Sequence, residues 1–406
     1  MDREAKVSRV QSLCLGSGAR LVFDRRPGIA AVRVALSPPP GPPGWAHLLE
    51  HLWFGRAAEA AAGFGVEIEA AGGEARAETG GDTIALEALA PVTAAPRLLH
   101  AFARALAGLP HAVPPIAREW DLLRLEGPAA ARAERRALQA VLGPAAAAAL
   151  APPPARAPDP TAFAHYVARC VRGPAIRVAF AGAPDAATVR AACAPLADLP
   201  AAASPSGAPP PGARAGRSRL AGAGPLGRVL WLMPAPGPAD PDYWAALAAD
   251  HVLGGGLSSR LYRALRSETG WCYALASRRE TRDGSALWWI DAHPRADRVT
   301  ACAARIEREI AALAEAGPGA DEVELARAYL HARLHLENAH PAARARRMES
   351  ELRALGAVRT DARHRAGIDA ISADRVRAVV AAARDCRYEV IEDPFMASSP
   401  GRRRSL

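Results

Sequence analysis

The chain is nearly without lysine: Lys6 is the only one, and arginine supplies the rest of its basic charge. No dense basic block occurs before Arg402-Arg403-Arg404 in the tail. The net charge of +9 is therefore spread thinly and describes no nucleic-acid surface. Cysteine is scarce too. The six (Cys14, Cys170, Cys193, Cys272, Cys302 and Cys386) include no C-x-x-C pair. That argues against a thiolate metal site and against a disulfide-stapled secreted module, and leaves most of them as small buried apolar residues. Long apolar runs are missing as well. The uncharged stretch 137–155 is mostly alanine and proline, too weakly apolar and too broken to span a bilayer. Met1-Asp2-Arg3-Glu4-Ala5-Lys6 leads into no apolar signal segment, so a cytoplasmic protein with no membrane contact is expected.

What is present is length and repetition. A chain of 406 residues can bury two or more cores. Ser204-Pro-Ser-Gly-Ala-Pro-Pro-Pro-Gly212 reads as a linker that cuts it almost in half. Before it, a strand at Ile29 to Leu36 meets a Pro/Gly turn and then a helix that ends at Gly55. After it, a strand at Arg228 to Met233 meets a similar turn and a helix from Tyr243 to Gly254-Gly255-Gly256. Trp45-Ala-His-Leu-Leu-Glu-His and Trp244-Ala-Ala-Leu-Ala-Ala-Asp fall at corresponding places, as a duplicated domain would put them. The expected bounds are 1–203, a linker at 204–214, a second domain at 215–395 and a tail at 396–406. Other expected elements include strands at Val66 to Glu69, Ala75 to Thr79 and Thr83 to Ala88. Helices are expected at Ala57 to Ala62, Ala94 to Leu106, Pro115 to Glu126 and Ala131 to Leu142.

The first half's helix carries His47-Leu-Leu-Glu50-His51. Residues four apart project from one helix face, so both imidazoles can reach one zinc ion, with Glu50 beside them. A catalytic zinc needs a third protein ligand and an open position for water, and a carboxylate to take the water's proton. Glu50 suits that last role. Glu119 and Glu126, seven apart on a later helix, share a face.

These residues resemble the pitrilysin/insulinase family of zinc peptidases, over nearly the whole chain. The fold that resemblance implies is α+β: two similar domains, each an antiparallel or mixed sheet packed against helices. In the family an H-x-x-E-H helix is joined by a glutamate about 75 residues on, with a supporting glutamate seven earlier. Glu126 and Glu119 stand at those places. The resemblance thus implies one Zn2+ per chain on His47, His51 and Glu126, with Glu50 as general base and Glu119 in support. A second match is Leu253-Gly-Gly-Gly-Leu-Ser-Ser-Arg to Arg266-Ser-Glu-Thr-Gly-Trp-Cys-Tyr273, where the family holds substrate with an arginine and a tyrosine. Arg266 and Tyr273 match them, and both can donate to a peptide carbonyl.

The implied activity is a zinc metalloendopeptidase acting on peptides or unfolded leader segments, in the manner of half-length, processing-peptidase-like members. A homodimer is expected, with a heterodimer with a related subunit as the alternative. The alternative function is a catalytically silent or partner-dependent structural or peptide-binding subunit of a heterodimeric peptidase. Several residues depart from the family's pattern. Arg76 stands where asparagine is usual, Arg56 replaces a small hydroxyl residue, and the loop expected between Gly143 and Pro160 is not recognisable. Glu134 is a rival third ligand at a poorer spacing. His331 and His335 have no glutamate between them and read as a polar helix face. Gly254 to Gly256 is too short for a nucleotide loop. Trp288 and Trp289 should point to opposite faces of a strand, one inward and one outward.

Overall fold

The computed structural model of the chain describes residues 10–60, 68–70, 72–111, 116–126, 132–148, 150–202, 215–222, 224–282 and 285–396. The Ser204–Gly212 stretch, the first half of the Val66 to Glu69 segment, residues 61–62 and the tail beyond 396 lie outside them, as does the Arg56 side chain. The chain forms two compact units.

The first unit comprises Met1–Pro128, Ala151–Ala208 and Ala332–His364. Its strands are Gln11–Cys14 (β1), Arg20–Asp24 (β2), Ile29–Leu36 (β3), Glu74–Thr79 (β4), Ile84–Pro91 (β5) and Ile176–Ala181 (β6). They form one sheet in the order β1-β2-β6-β3-β5-β4, with β2 and β6 parallel and the remaining pairs antiparallel. β3 and β6 are central because Ile, Val and Ala occupy both of their faces, and both are buried almost throughout. β4 alternates exposed glutamate and arginine with half-buried alanine, the pattern of a strand at an edge.

One face of this sheet packs on the helices Trp45–Ala60, Ala95–Gly108, Ile116–Leu125 and Pro160–Cys170. Leu98, Leu99, Phe102 and Leu106 recur on one side of Ala95–Gly108 and are fully buried there. The other face is covered by Pro341–Leu355, whose Ala342, Ala345, Met348 and Leu352 meet Val22, Ala31, Ala179 and Ala181. That layer also carries charge. Glu349 accepts from Arg177 at 2.6 Å and lies 3.6 Å from Arg33, all three almost wholly buried.

The second unit comprises Ala129–Leu150, Pro209–His331 and Arg365–Leu406. Gly216–Ala221 (β7), Arg228–Pro234 (β8), Cys272–Arg282 (β9), Ser285–Pro294 (β10) and Tyr388–Asp393 (β11) form a sheet in the order β7-β11-β8-β10-β9. This repeats β2-β6-β3-β5-β4 of the first unit strand for strand. The outer pair β7 and β11 is again parallel and the others antiparallel. Here too a helix covers the second face: Ala133, Ala137, Leu138 and Val141 of Arg132–Val141 pack on Leu230, Leu232, Trp289 and Val390.

The α+β class with two similar sheet-and-helix units is therefore as expected. Each unit is discontinuous in sequence, because each sheet takes its second helical layer from the other side of the linker. A cut at the linker describes the chain and not the units. This exchange also corrects the expectation for Trp288 and Trp289. They do point to opposite faces, but both are 1% exposed, since the sheet has no solvent-facing side at β10. Gly55 does not end the first helix, which runs through to Ala60. A glycine inside a helix costs about 1 kcal/mol, too little to stop one whose Leu48, Leu49, Leu52 and Trp53 are buried. Ile68 to Ala70 are helical rather than extended.

Candidate functional site

Gly44 sets the start of the Trp45–Ala60 helix. Its φ is +80°, a left-handed value, and a Cβ there would lie 3.0 Å from both Trp120 and Pro153. From that start, Leu48, Leu49, Leu52 and Trp53 turn inward, and the Trp53 indole donates to the carbonyl of Phe102 at 3.1 Å. The opposite face presents His47, Glu50 and His51 along a partly open rim. Their places follow from helical spacing and the burial of their neighbours.

The two imidazoles stand edge to face, with ring centroids 4.7 Å apart and Nε2 atoms 3.3 Å apart. Glu126, just past the Ile116–Leu125 helix, brings Oε2 to 3.4 Å from His47 Nε2 and 3.5 Å from His51 Nε2. One ligand atom from each of His47, His51 and Glu126 lies within 4.8 Å of the others. Glu119 contacts His51 Nδ1 at 3.4 Å. Glu50 lies 3.7 Å from His47 and accepts a hydrogen bond from the Thr79 hydroxyl at 2.8 Å. Burial lowers the pKa of His47 against the raising pull of Glu50; His51 adds to the lowering and Glu126 opposes it. The structure thus brings together every residue the sequence proposed for this group. The Thr79 contact was not foreseen, although a hydroxyl two residues beyond Ala77 on an edge strand lies on the same face.

Arg266 and Tyr273 belong to the second unit. Arg266 lies in a wide helical turn, Arg263–Ser267, and its Nη1 donates to the carbonyls of Cys272 at 2.9 Å and Tyr273 at 2.6 Å. Its guanidinium carbon is 6.0 Å from the Tyr273 ring centre. Tyr273 is 73% exposed at the start of β9, an edge strand, so its hydroxyl is open to solvent. The rival ligand Glu134 is engaged elsewhere, accepting from Arg228 Nη1 at 2.9 Å. His331 pairs with Asp369 at 2.8 Å, and the Arg76 charge is met by Glu87 at 2.6 Å.

The family described as "Peptidase M16 inactive domain" matches residues 159–330. No curated protein matches the chain. Among solved structures, the peptidase M16 inactive domain from Pseudomonas fluorescens is similar with a TM-score of 0.79 at 16% identity, covering 97% of this chain and 100% of that one. A protease from Helicobacter pylori is similar with a TM-score of 0.80 at 15% identity, covering 95% and 100%. At such identities the likeness concerns the fold alone.

These comparisons correct the functional expectation. The sequence resemblance implies an active pitrilysin/insulinase-type zinc peptidase, hydrolysing peptide bonds with one Zn2+ on His47, His51 and Glu126. What it matches is a domain described as inactive, over a span that contains Arg266 and Tyr273 but none of His47, Glu50, His51, Glu119 or Glu126. Proximity of ligand atoms is a condition for metal catalysis and not evidence of turnover, and Glu126 is more than half exposed. The likeness to a domain described as inactive argues against zinc-peptidase activity and against a catalytic Zn2+. The chain shares the fold of both solved structures, and residues 159–330 are similar to the M16 domain described as inactive.

Proposed function

We propose that this chain is a catalytically silent, partner-dependent subunit that binds extended peptides, working beside a related peptidase chain in the cytoplasm. The observation that carries this reading is the match of residues 159–330 to an M16 domain described as inactive, a span that includes the open Arg266–Tyr273 pair. Tyr273 offers a phenolic donor at the start of an edge strand, and Arg266 offers guanidinium donors beside it. An extended peptide laid along such an edge gains main-chain hydrogen bonds with modest demand on sequence. A silent subunit gains a purpose from a catalytic partner, which favours a heterodimer over the homodimer first expected. Among the described residues no helix is long and apolar enough to cross a membrane.

In this reading the polar group of the first unit is structural. His51 with Glu119, and both histidines with Glu126, tie the Trp45–Ala60 helix to the one after Pro115.

The test is binding without turnover. The purified chain, supplied with zinc, should bind members of a mixed peptide library by fluorescence anisotropy and leave them uncut by mass spectrometry. Cleavage by this chain alone, lost in Glu50→Gln, would overturn the proposal.

A further inference from the structure

All six cysteines are free, and two of them face each other. Cys272 opens β9 and Cys302 lies in the first turns of the Val299–Ala316 helix; they are 2% and 0% exposed, with Sγ atoms 3.5 Å apart. We propose that Cys272 and Cys302 are a redox-active dithiol, closed to a reversible disulfide by a small hydroperoxide.

The geometry favours the bond. A disulfide needs sulfur atoms about 2.05 Å apart, so the pair must close by roughly 1.5 Å, a distance that χ1 rotations at two side chains can share. The surrounding backbone is held on several sides. Trp271 donates to the Leu265 carbonyl at 3.0 Å, Arg295 donates to the Trp271 carbonyl at 3.0 Å, and Arg266 grips the Cys272 carbonyl. The thiols are thus fixed in contact rather than meeting by chance. Cys272 is also the readier nucleophile: a hydrogen bond from Cys302 lowers its pKa, burial opposes this, and the nearby Arg266 charge adds to the lowering.

Burial selects the oxidant. A bulky disulfide cannot reach sulfurs this enclosed, whereas a hydroperoxide is small enough to enter with slight local opening. The Cys272 thiolate attacks the outer peroxide oxygen, the O–O bond breaks, and the electron pair leaves with the alkoxide, which takes the thiol's proton. This leaves a sulfenic acid on Cys272. Cys302 then attacks that sulfur, the S–O bond breaks, and the departing hydroxide takes the Cys302 proton as water. Two thiols lose two electrons, and the peroxide becomes an alcohol and water.

The bond would bolt the residue before Tyr273 to a core helix. Its bearing on peptide binding rests on the function proposed for Arg266 and Tyr273; its formation does not.

The full-length chain treated with hydrogen peroxide, alkylated and cut with trypsin should yield residues 267–278 linked to 299–305. The link should disappear on treatment with dithiothreitol and never form in Cys302→Ala, whose unchanged melting temperature would show that it folds. Recovery of both peptides as free thiols while Cys14 and Cys386 are oxidised would overturn the proposal. So would oxidation of Cys272 to irreversible acids at the same rate in the wild type and in Cys302→Ala.

Discussion

Replacing Tyr273 by phenylalanine removes one hydroxyl and little else. The ring is 73% exposed, so no packing is lost and folding stability should move by less than about 0.5 kcal/mol. Its contact with Arg266, 6.0 Å from guanidinium to ring centre, survives in phenylalanine. The change therefore isolates the hydrogen bond that the hydroxyl would donate to a bound peptide carbonyl. Such a bond contributes about 1 kcal/mol net, which raises the dissociation constant roughly fivefold. Arg266→Ala should cost more, because it removes a charged donor and also frees the Cys272 and Tyr273 carbonyls at the head of β9. Fluorescence anisotropy with one labelled peptide, selected from those the wild type binds, measures both. Equal affinity in the wild type and the two variants, each with an unchanged melting temperature, would show that the pair does not hold peptide.

Other consequences are open to direct measurement. Glu349→Gln leaves Arg33 and Arg177 buried with less opposing charge and should cost about 3–5 kcal/mol, read as a large drop in the melting temperature of the first unit. Leu138→Ala empties a fully buried position between Arg132–Val141 and the second sheet and should cost about 2–5 kcal/mol, read from the urea midpoint. Acid should weaken the second unit through Asp291. Burial alone would raise that carboxyl's pKa, but hydrogen bonds from Arg228 and His293 overcome it and hold it well below the usual carboxylate range. Its stabilisation is complete above the unfolded-state value of about 4 and is lost as pH falls towards the folded value. The melting temperature should decline below about pH 4, and less steeply in Asp291→Asn. His51→Ala should loosen the helix bearing Glu119 by about 1 kcal/mol, seen as faster amide exchange at Trp120 and Leu123.

Local features of this fold were legible in the sequence because burial leaves a period. The alternation in β4 and the spacing of Leu98, Leu99, Phe102 and Leu106 each specify an element without outside help. The repeat of strand, turn and helix on either side of the linker was readable for the same reason. The exchange of covering helices was not. Whether Met348 packs on the sheet before it or another depends on contacts across hundreds of residues, which no local period records. Trp288 and Trp289 show the cost of missing it: adjacent apolar residues on a strand mean one outward side chain only if the sheet has an open face. The polar group at His47, His51 and Glu126 was legible in place. Its activity was not, since geometry that permits chemistry looks the same in a sequence whether or not turnover is kept.

The two units show how one backbone plan can carry polar residues to different ends. His51 in the first and Asp250 in the second occupy matching places on matching helices, but the edge-strand hydroxyl reaches Asp250 itself in the second unit and Glu50, the neighbour of His51, in the first. In the second unit that closeness is used up internally. Asp250 accepts from the Trp288 indole at 2.8 Å and from the Ser277 hydroxyl, and its side chain faces the core. Burial raises its pKa, with the Ser277, Arg279 and Trp288 contacts pulling the other way. In the first unit Thr79 binds Glu50 instead, and the histidines remain on the rim. The helix is therefore bracketed to its edge strand in both copies, by Asp250 and Ser277 in the second and by Glu50 and Thr79 in the first, while His51 ties it to the Ile116–Leu125 helix. A bracket of that kind needs side chains that satisfy each other more than it needs a reaction, and that is the role the silent-subunit reading gives to the first unit's polar group as well.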